Sequence, residues 1–241
     1  DRAWRGTDVL GLTSIGRDGE AWDVITHRRK PSVRVEAGAI LATAEACLEA
    51  GSAVLETIEE TDVATPLGSV LVVRVLRPGR VELAGPSRGE QLRRIVDRLL
   101  ELGAGLVLVD GAIDRRSPAS PRVTEASVLA TGAVLSEAME EVVGRTAERV
   151  RQLTLPRAPE ACCGGWTPGR VVLRQGGRTE SFPASEALKG RVGIRARVRG
   201  GEAVVLVGGA LGEPLLSELT GAPVRVVVRD PTCLFVDDRL L

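Results

Sequence analysis

The sequence is poor in several residue types, and each scarcity excludes something. It holds one histidine, His27, in the polar stretch THRRKP. A histidine-rich metal site is thereby excluded, and a Ser-His-Asp triad would hang on one residue with no nucleophile or orienting acid suggested beside it. Lysine occurs only at Lys30 and Lys189 among 32 basic residues. Neither completes a G-x-x-x-x-G-K-[ST] spacing, so the sequence contains no phosphate-cradling P-loop. The glycine clusters GGWTPGR and VGGALGE do not read G-x-G-x-x-G between a strand and a long helix, which argues against a dinucleotide-binding fingerprint. The four cysteines, Cys47, Cys162, Cys163 and Cys233, show no C-x-x-C spacing. A zinc ribbon or thioredoxin motif is therefore not expected. Adjacent Cys162 and Cys163 read as thiols of a reducing compartment, with a vicinal redox pair as the alternative.

Charge of one sign is also lacking: 32 basic residues balance 32 acidic ones. No overall field favours nucleic acid or membranes, and neither is expected as a partner. The longest apolar runs, near residues 69–76 and 203–211, fall far short of the roughly 20 residues a membrane span needs. The opening DRAWRGTD is polar and carries no secretory signal, so a cytoplasmic location is expected. There is no initiator methionine; Met139 is the only methionine. Because a strand begins almost at once, the chain reads as a fragment of a longer product.

What is present suffices for one large domain or two modest ones: 241 residues, 44% of them apolar. Residues 9–15 read as a short buried strand ending in glycine, and residues 20–26 as a segment able to pair back on it. Residues 32–35 alternate like an edge strand. The alanine-rich stretch 39–50, closed by Gly51, predicts a helix. Strands are expected at 53–59 and 69–76, a turn at RPGR, and a resumed strand at 81–84. In GPSRGEQLRRIVDRLLELGAG, Ser87 and Glu90 form a capping box. Leu92, Ile95, Val96, Leu99, Leu100 and Leu102 follow helical spacing, and Gly103 is the stop. The all-apolar strand 106–109 suggests a parallel strand buried on both faces. A strand at 127–130, a loop at 131–133 and a helix over 136–153 repeat the pattern. Two such units imply right-handed crossovers in an α/β sheet. The stretch 156–169 reads as a linker. Beyond it, 170–174, 192–198, 203–207 and 224–228 are strand-like, and 215–219 opens a short helix. The expected layout is an α/β domain over 1–155, a linker over 156–169, and a smaller α/β region over 170–241.

In open α/β sheets ligands bind outside the carboxyl ends of the parallel strands. Three loops qualify: Gly16-Arg17-Asp18-Gly19-Glu20, the stretch from Asp110 and Gly111 through Arg115, Arg116 and Ser117, and Thr131-Gly132. Asp110 ends an apolar strand, where one carboxylate can hold a hydrated Mg2+ beside nucleotide phosphates; a plain Asp-Gly turn is the alternative. Asp18 suits the same Mg2+ role or a hairpin turn equally well. The Arg115-Arg116-Ser117 stretch, stiffened by Pro118 and Pro121, could grip phosphate through arginine forks or form a solvated, protein-docking loop.

Four strings carry a resemblance: LGLTSIGRDGE, TPLGSVLVVRVLRPGRVELAGPS, VDGAIDRRSPASP with ATGAVLS behind it, and VVRDPTCLFVD. In this order, over roughly residues 10–236, the chain resembles one subunit of the reactivating factor that accompanies adenosylcobalamin-dependent lysine 5,6-aminomutase. The resemblance implies a P-loop NTPase of the dethiobiotin-synthetase-like type: a largely parallel, three-layer α/β sheet, here without its first strand and P-loop, plus a smaller C-terminal α/β domain. It also implies ATP and Mg2+ as cofactors, with hydrolysis expected only of the full-length protein. A second reactivase subunit and a B12-dependent aminomutase would be partners, and release of damaged cobalamin the job. Two other readings stand beside it: an ATP-dependent small-molecule ligase of the dethiobiotin-synthetase type, and a nucleotide-free protein-binding module.

Overall fold

The computed structural model describes residues 9–18, 32–111 and 116–236. The chain divides into two compact units, Asp1–Ser127 and Val128–Leu241. The division falls ahead of residue 155, so the helix over the 139–153 region belongs to the second unit.

In the first unit the described elements are β1 (Val9–Ser14), β2 (Arg17–Asp18), β3 (Val33–Val35), β4 (Ile40–Ala44), β5 (Val54–Thr65), β6 (Gly68–Arg77), β7 (Gly79–Val81), β8 (Leu83–Ala84), α1 (Gly89–Glu101) and β9 (Ala104–Asp110). The main sheet runs β5-β6-β4-β1-β9, and small ribbons pair β2 with β8 and β3 with β7. Parallel pairing is confined to β4–β1–β9; β6 is antiparallel to both β4 and β5. The sheet is therefore mixed rather than largely parallel. Only Pro66 and Leu67 separate β5 from β6, and so short a connection can join only antiparallel strands. Thr65 Oγ1 donates to the Gly68 carbonyl and accepts from the Leu67 N–H, locking that turn.

Alternation along the strands sends side chains to two cores. On one face Ile40, Ala42, Val70 and Val72 pack with Ile95 and Leu99 of α1. On the other, Leu41, Val73 and Val75 pack beneath Val35, Val81 and Leu83 of the ribbons. This two-sided burial explains why residues 39–50 do not form the expected helix. Ile40 through Ala44 are buried consecutively, as a central strand requires, and only Glu45–Cys47 coil, into a single 3-10 turn. Alanine's helix propensity is small beside the burial of Ile40 and Leu41, each worth about 1.5–3 kcal/mol.

The helix α1 buries Leu92, Ile95, Val96 and Leu99 as the spacing predicts, and Gly103 follows it at φ 101°. The capping box does not form. The helix starts at Gly89, the N-cap is Arg88, and no side chain caps it; Ser87 stands one position too early. The strand β9 is parallel to β1, but it is the sheet's edge, with Leu106 and Leu108 36% and 47% exposed, not buried on both faces. The segment 20–26 lies outside the described residues.

The second unit holds α2 (Met139–Leu153), β10 (Arg170–Gln175), β11 (Arg178–Pro183), α3 (Ala184–Ala187), α4 (Ile194–Arg197), β12 (Ala203–Val207), β13 (Leu211–Gly212), α5 (Glu213–Leu219), β14 (Val224–Val228) and β15 (Leu234–Phe235). Its sheet runs β11-β10-β12-β14, with only β12 and β14 parallel. The β10–β11 hairpin turns on Gly176 and Gly177 at φ 54° and 79°, the positive pair a two-residue hairpin loop demands. Val171, Leu173, Val205 and Val207 build the main core with Ile194, Leu215 and Leu219. Residues 192–198 are thus not a strand: Gly193 at φ 65° starts the turn of α4, and Ile194 plugs the core with Val192 and Val198 packed beside it. Residues 127–130 also form no strand, and Val128 is 99% exposed. The stretch 156–169 is no loose linker, since Ala158, Cys162 and Trp166 pack on Val172, Leu206 and Val227. No described helix is long and apolar enough to cross a membrane.

Candidate site at the carboxyl edge of β1 and β9

The carboxyl ends of two strands singled out in the sequence lie side by side. The strands β1 and β9 are parallel neighbours, and their register sets Ser14 opposite Asp110. The Ile15 N–H then donates to the Asp110 carbonyl at 3.2 Å. Gly16 and Gly111 consequently leave the sheet side by side, at the edge where open α/β sheets place their ligands.

The polar residues just inside this edge are buried and bonded. Thr13 Oγ1 donates to the Ala42 carbonyl at 3.1 Å. On the neighbouring β4, Thr43 Oγ1 donates to the Glu82 carbonyl at 3.1 Å and accepts from the Ala84 N–H at 2.9 Å. These bonds draw β8 over the edge. Gly16, at φ 80°, accepts from the Gly85 N–H at 2.9 Å. A Cβ on Gly85 would lie 1.9 Å from the Ser14 carbonyl oxygen, so this crossing tolerates no side chain.

The loop after β1 is therefore part of a ladder rather than a free turn. Arg17 and Asp18 pair antiparallel with Ala84 and Leu83. The Arg17 guanidinium reaches Glu82 Oε2 through Nη2 at 2.9 Å and Nε at 3.3 Å. Its fork is engaged by a carboxylate from 65 residues away.

The chain beyond β9 folds back to the same edge. Arg116 leads into a 3-10 turn, Ser117–Ala119. Ser120 is buried and accepts from the Val123 N–H at 2.8 Å, while Thr124 Oγ1 donates to the Pro118 carbonyl at 2.8 Å. Val123 is thereby pressed onto Ile15 and Leu92, with Val109 against the same cluster. Pro118 opens the 3-10 turn beside Ser117, and the Thr124 bond to its carbonyl ties the turn to the following residues.

Of the expected site residues, Gly16, Arg17, Asp18, Asp110 and Gly111 are gathered at this edge, and Arg116 and Ser117 follow on a segment tied back to it. Gly19, Glu20 and Arg115 lie outside the described residues. Thr131 and Gly132 belong to the second unit, where Thr131 Oγ1 lies 2.7 Å from Thr146 Oγ1 of α2. Thr43 and Glu82, which shape the edge with Gly85, carried no signal in the sequence: their bonds reach residues 39, 41 and 65 positions away. The one local hint was Gly85 itself, ahead of Pro86.

Mg2+ keeps several waters and takes other ligands from phosphates, so a lone strand-end carboxylate such as Asp110 fits it. Among the described residues no three or more His, Cys, Asp or Glu gather as a metal cluster. A carboxylate held on both oxygens by one arginine lies elsewhere. Glu59 on β5 accepts from Arg98 of α1 at 2.6 Å on both oxygens, and this bond holds its carboxyl below the ordinary value. An open cleft of about 300 Å³ lies beside that pair, lined by Asp62, Arg94 and Ile95 as well. It is an ion-paired seam between strand and helix.

No family model matches the chain, no curated protein matches it, and no solved structure matches it.

Proposed function

We infer that the β1–β9 edge is one half of a nucleotide–Mg2+ site, in a subunit of an ATP-dependent reactivating factor for a B12-dependent amino-acid aminomutase. One observation carries the site: the parallel register of Ser14 with Asp110, which brings the carboxyl ends of β1 and β9 side by side. In this reading Asp110 holds hydrated Mg2+, and Arg116 and Ser117 approach the phosphates. Mg2+ would supply charge neutralisation at the phosphates. Arg17, engaged by Glu82, braces the loop instead of gripping phosphate. The reactivase assignment rests on the resemblance of the four strings. Nucleotide turnover can drive cofactor exchange in a partner only where the nucleotide binds two conformations of the factor unequally, and loops at a strand edge are elements able to differ between them.

A second reading draws on the β2–β8 ladder. There the Gly16–Asp18 turn is structural, and the unit is a nucleotide-free binding module. Two measurements decide. The site reading requires a G-x-x-x-x-G-K-[ST] loop encoded ahead of Asp1, and its absence sinks the reading. Calorimetry on the polypeptide containing that loop should show Mg2+-dependent ATP binding that Asp110→Asn weakens by roughly tenfold or more, the worth of a charged contact. Unchanged binding and unchanged rescue of an inactivated aminomutase would favour the module.

A further inference from the structure

The second unit holds an open cleft of about 320 Å³, lined by Leu173, Gln175, Arg178, Glu180, Arg197 and Arg199 among others. Its floor is the hairpin end of a sheet face. In register, Val171, Leu173 and Gln175 of β10 stand opposite Phe182, Glu180 and Arg178 of β11. Val171 and Leu173 belong to the apolar core, but toward the hairpin tip the side chains become polar. The wall is the segment after α4, and one side chain clasps it to the floor. Gln175 Oε1 accepts from the Arg199 backbone N–H at 2.8 Å. Its Nε2 donates to the Gly200 and Gly201 carbonyls at 2.9 and 3.1 Å.

The charges in this concavity do not balance. Three guanidinium groups line it against one carboxylate. Glu180 is shared, with Oε1 3.2 Å from Arg178 and Oε2 3.1 Å from Arg197. Arg197 is braced further by the Phe182 ring, 5.1 Å from its centroid. Among the described residues the Arg199 guanidinium has no hydrogen-bond or ion-pair partner, although its backbone is pinned by Gln175. Two of the three arginines are thus pre-positioned by one acid, and the third is left to face the cleft.

Guanidinium forks match phosphate oxygens, and a phosphoryl dianion matches the excess charge. We propose that this cleft binds the phosphoryl group of a small ligand, with Arg199 as its principal contact and Arg178 and Arg197 flanking it. The proposal does not depend on the nucleotide reading of the first unit.

The test is a titration of the whole chain with inorganic phosphate, at constant ionic strength set by chloride so that screening stays fixed. Saturable binding is expected. Arg199→Ala should weaken it by roughly tenfold or more, and Arg178→Ala should weaken it as well. Arg199→Ala removes a side chain that makes no hydrogen bond or ion pair among the described residues, so its circular dichroism should match the wild type. Arg225→Ala removes an arginine of the same sheet that pairs with Glu202 at 3.0 Å outside the cleft, and should leave binding unchanged. The proposal is overturned if Arg199→Ala binds phosphate as tightly as the wild type, if Arg225→Ala loses as much, or if succinate binds more tightly than phosphate.

Discussion

Gly85 sits where β8 crosses the end of β1, and its missing side chain is what permits the crossing. A Cβ there would stand 1.9 Å from a backbone oxygen, and backbone cannot swing aside as a flexible side chain can. Gly85→Ala should therefore destabilise the first unit by roughly 1–3 kcal/mol or more, read as a lower urea midpoint. Glu59 gives a pH prediction of definite sign. Its hydrogen bond to Arg98, then their charge attraction, lower its pKa below the ordinary 4.5, so the unfolded chain binds the proton more readily. The stabilisation is complete above that ordinary value and is lost as pH falls through the lower folded value. Glu59→Gln should consequently lower the thermal midpoint modestly at neutral pH, the pair being partly exposed and screened, and converge with the wild type at low pH, flattening the acid limb.

At the scale of elements, α1 has a strong apolar stripe and a poor start. Its N-cap, Arg88, has the extended backbone a cap needs, φ −108° and ψ 133°, but no side-chain oxygen to accept the free N–H groups. Arg88→Asp should stabilise the unit by about 0.5–2 kcal/mol in thermal unfolding, through capping and the helix dipole. Leu99, fully buried between α1 and the sheet, is the opposite case: Leu99→Ala should cost roughly 2–5 kcal/mol. The same elements show what the sequence made legible. Residues 92–99 carry a period that only a helix satisfies, and that helix is present. Residues 40–44 carry no period, because a strand buried on both faces is apolar throughout, and a short apolar run rich in alanine reads as helix just as well.

For the whole molecule, the two units have separate cores: β4, β6 and α1 build one, and β10, β12 and α5 another. Val128, 99% exposed, starts the second unit. Limited elastase digestion should cut near residues 127–134 and leave two resistant fragments, identified by mass spectrometry; a first cut inside either sheet would contradict the division. The sequence by itself determined the α/β class, the strands near 9–14, 203–207 and 224–228, the helix ending at Gly103, and the two Asp-Gly strand ends as candidates. All of these rest on patterns within a few residues, where spacing and backbone preference act directly. Only the tertiary structure decided that β9 pairs with β1 and stands at the edge, that Arg17 is engaged by Glu82, that Gln175 clasps the wall of an arginine-lined cleft, and that Thr131 belongs with another unit. Each of these depends on segments far apart in the chain, and such pairings are chosen by how buried faces cover one another, which no local pattern records.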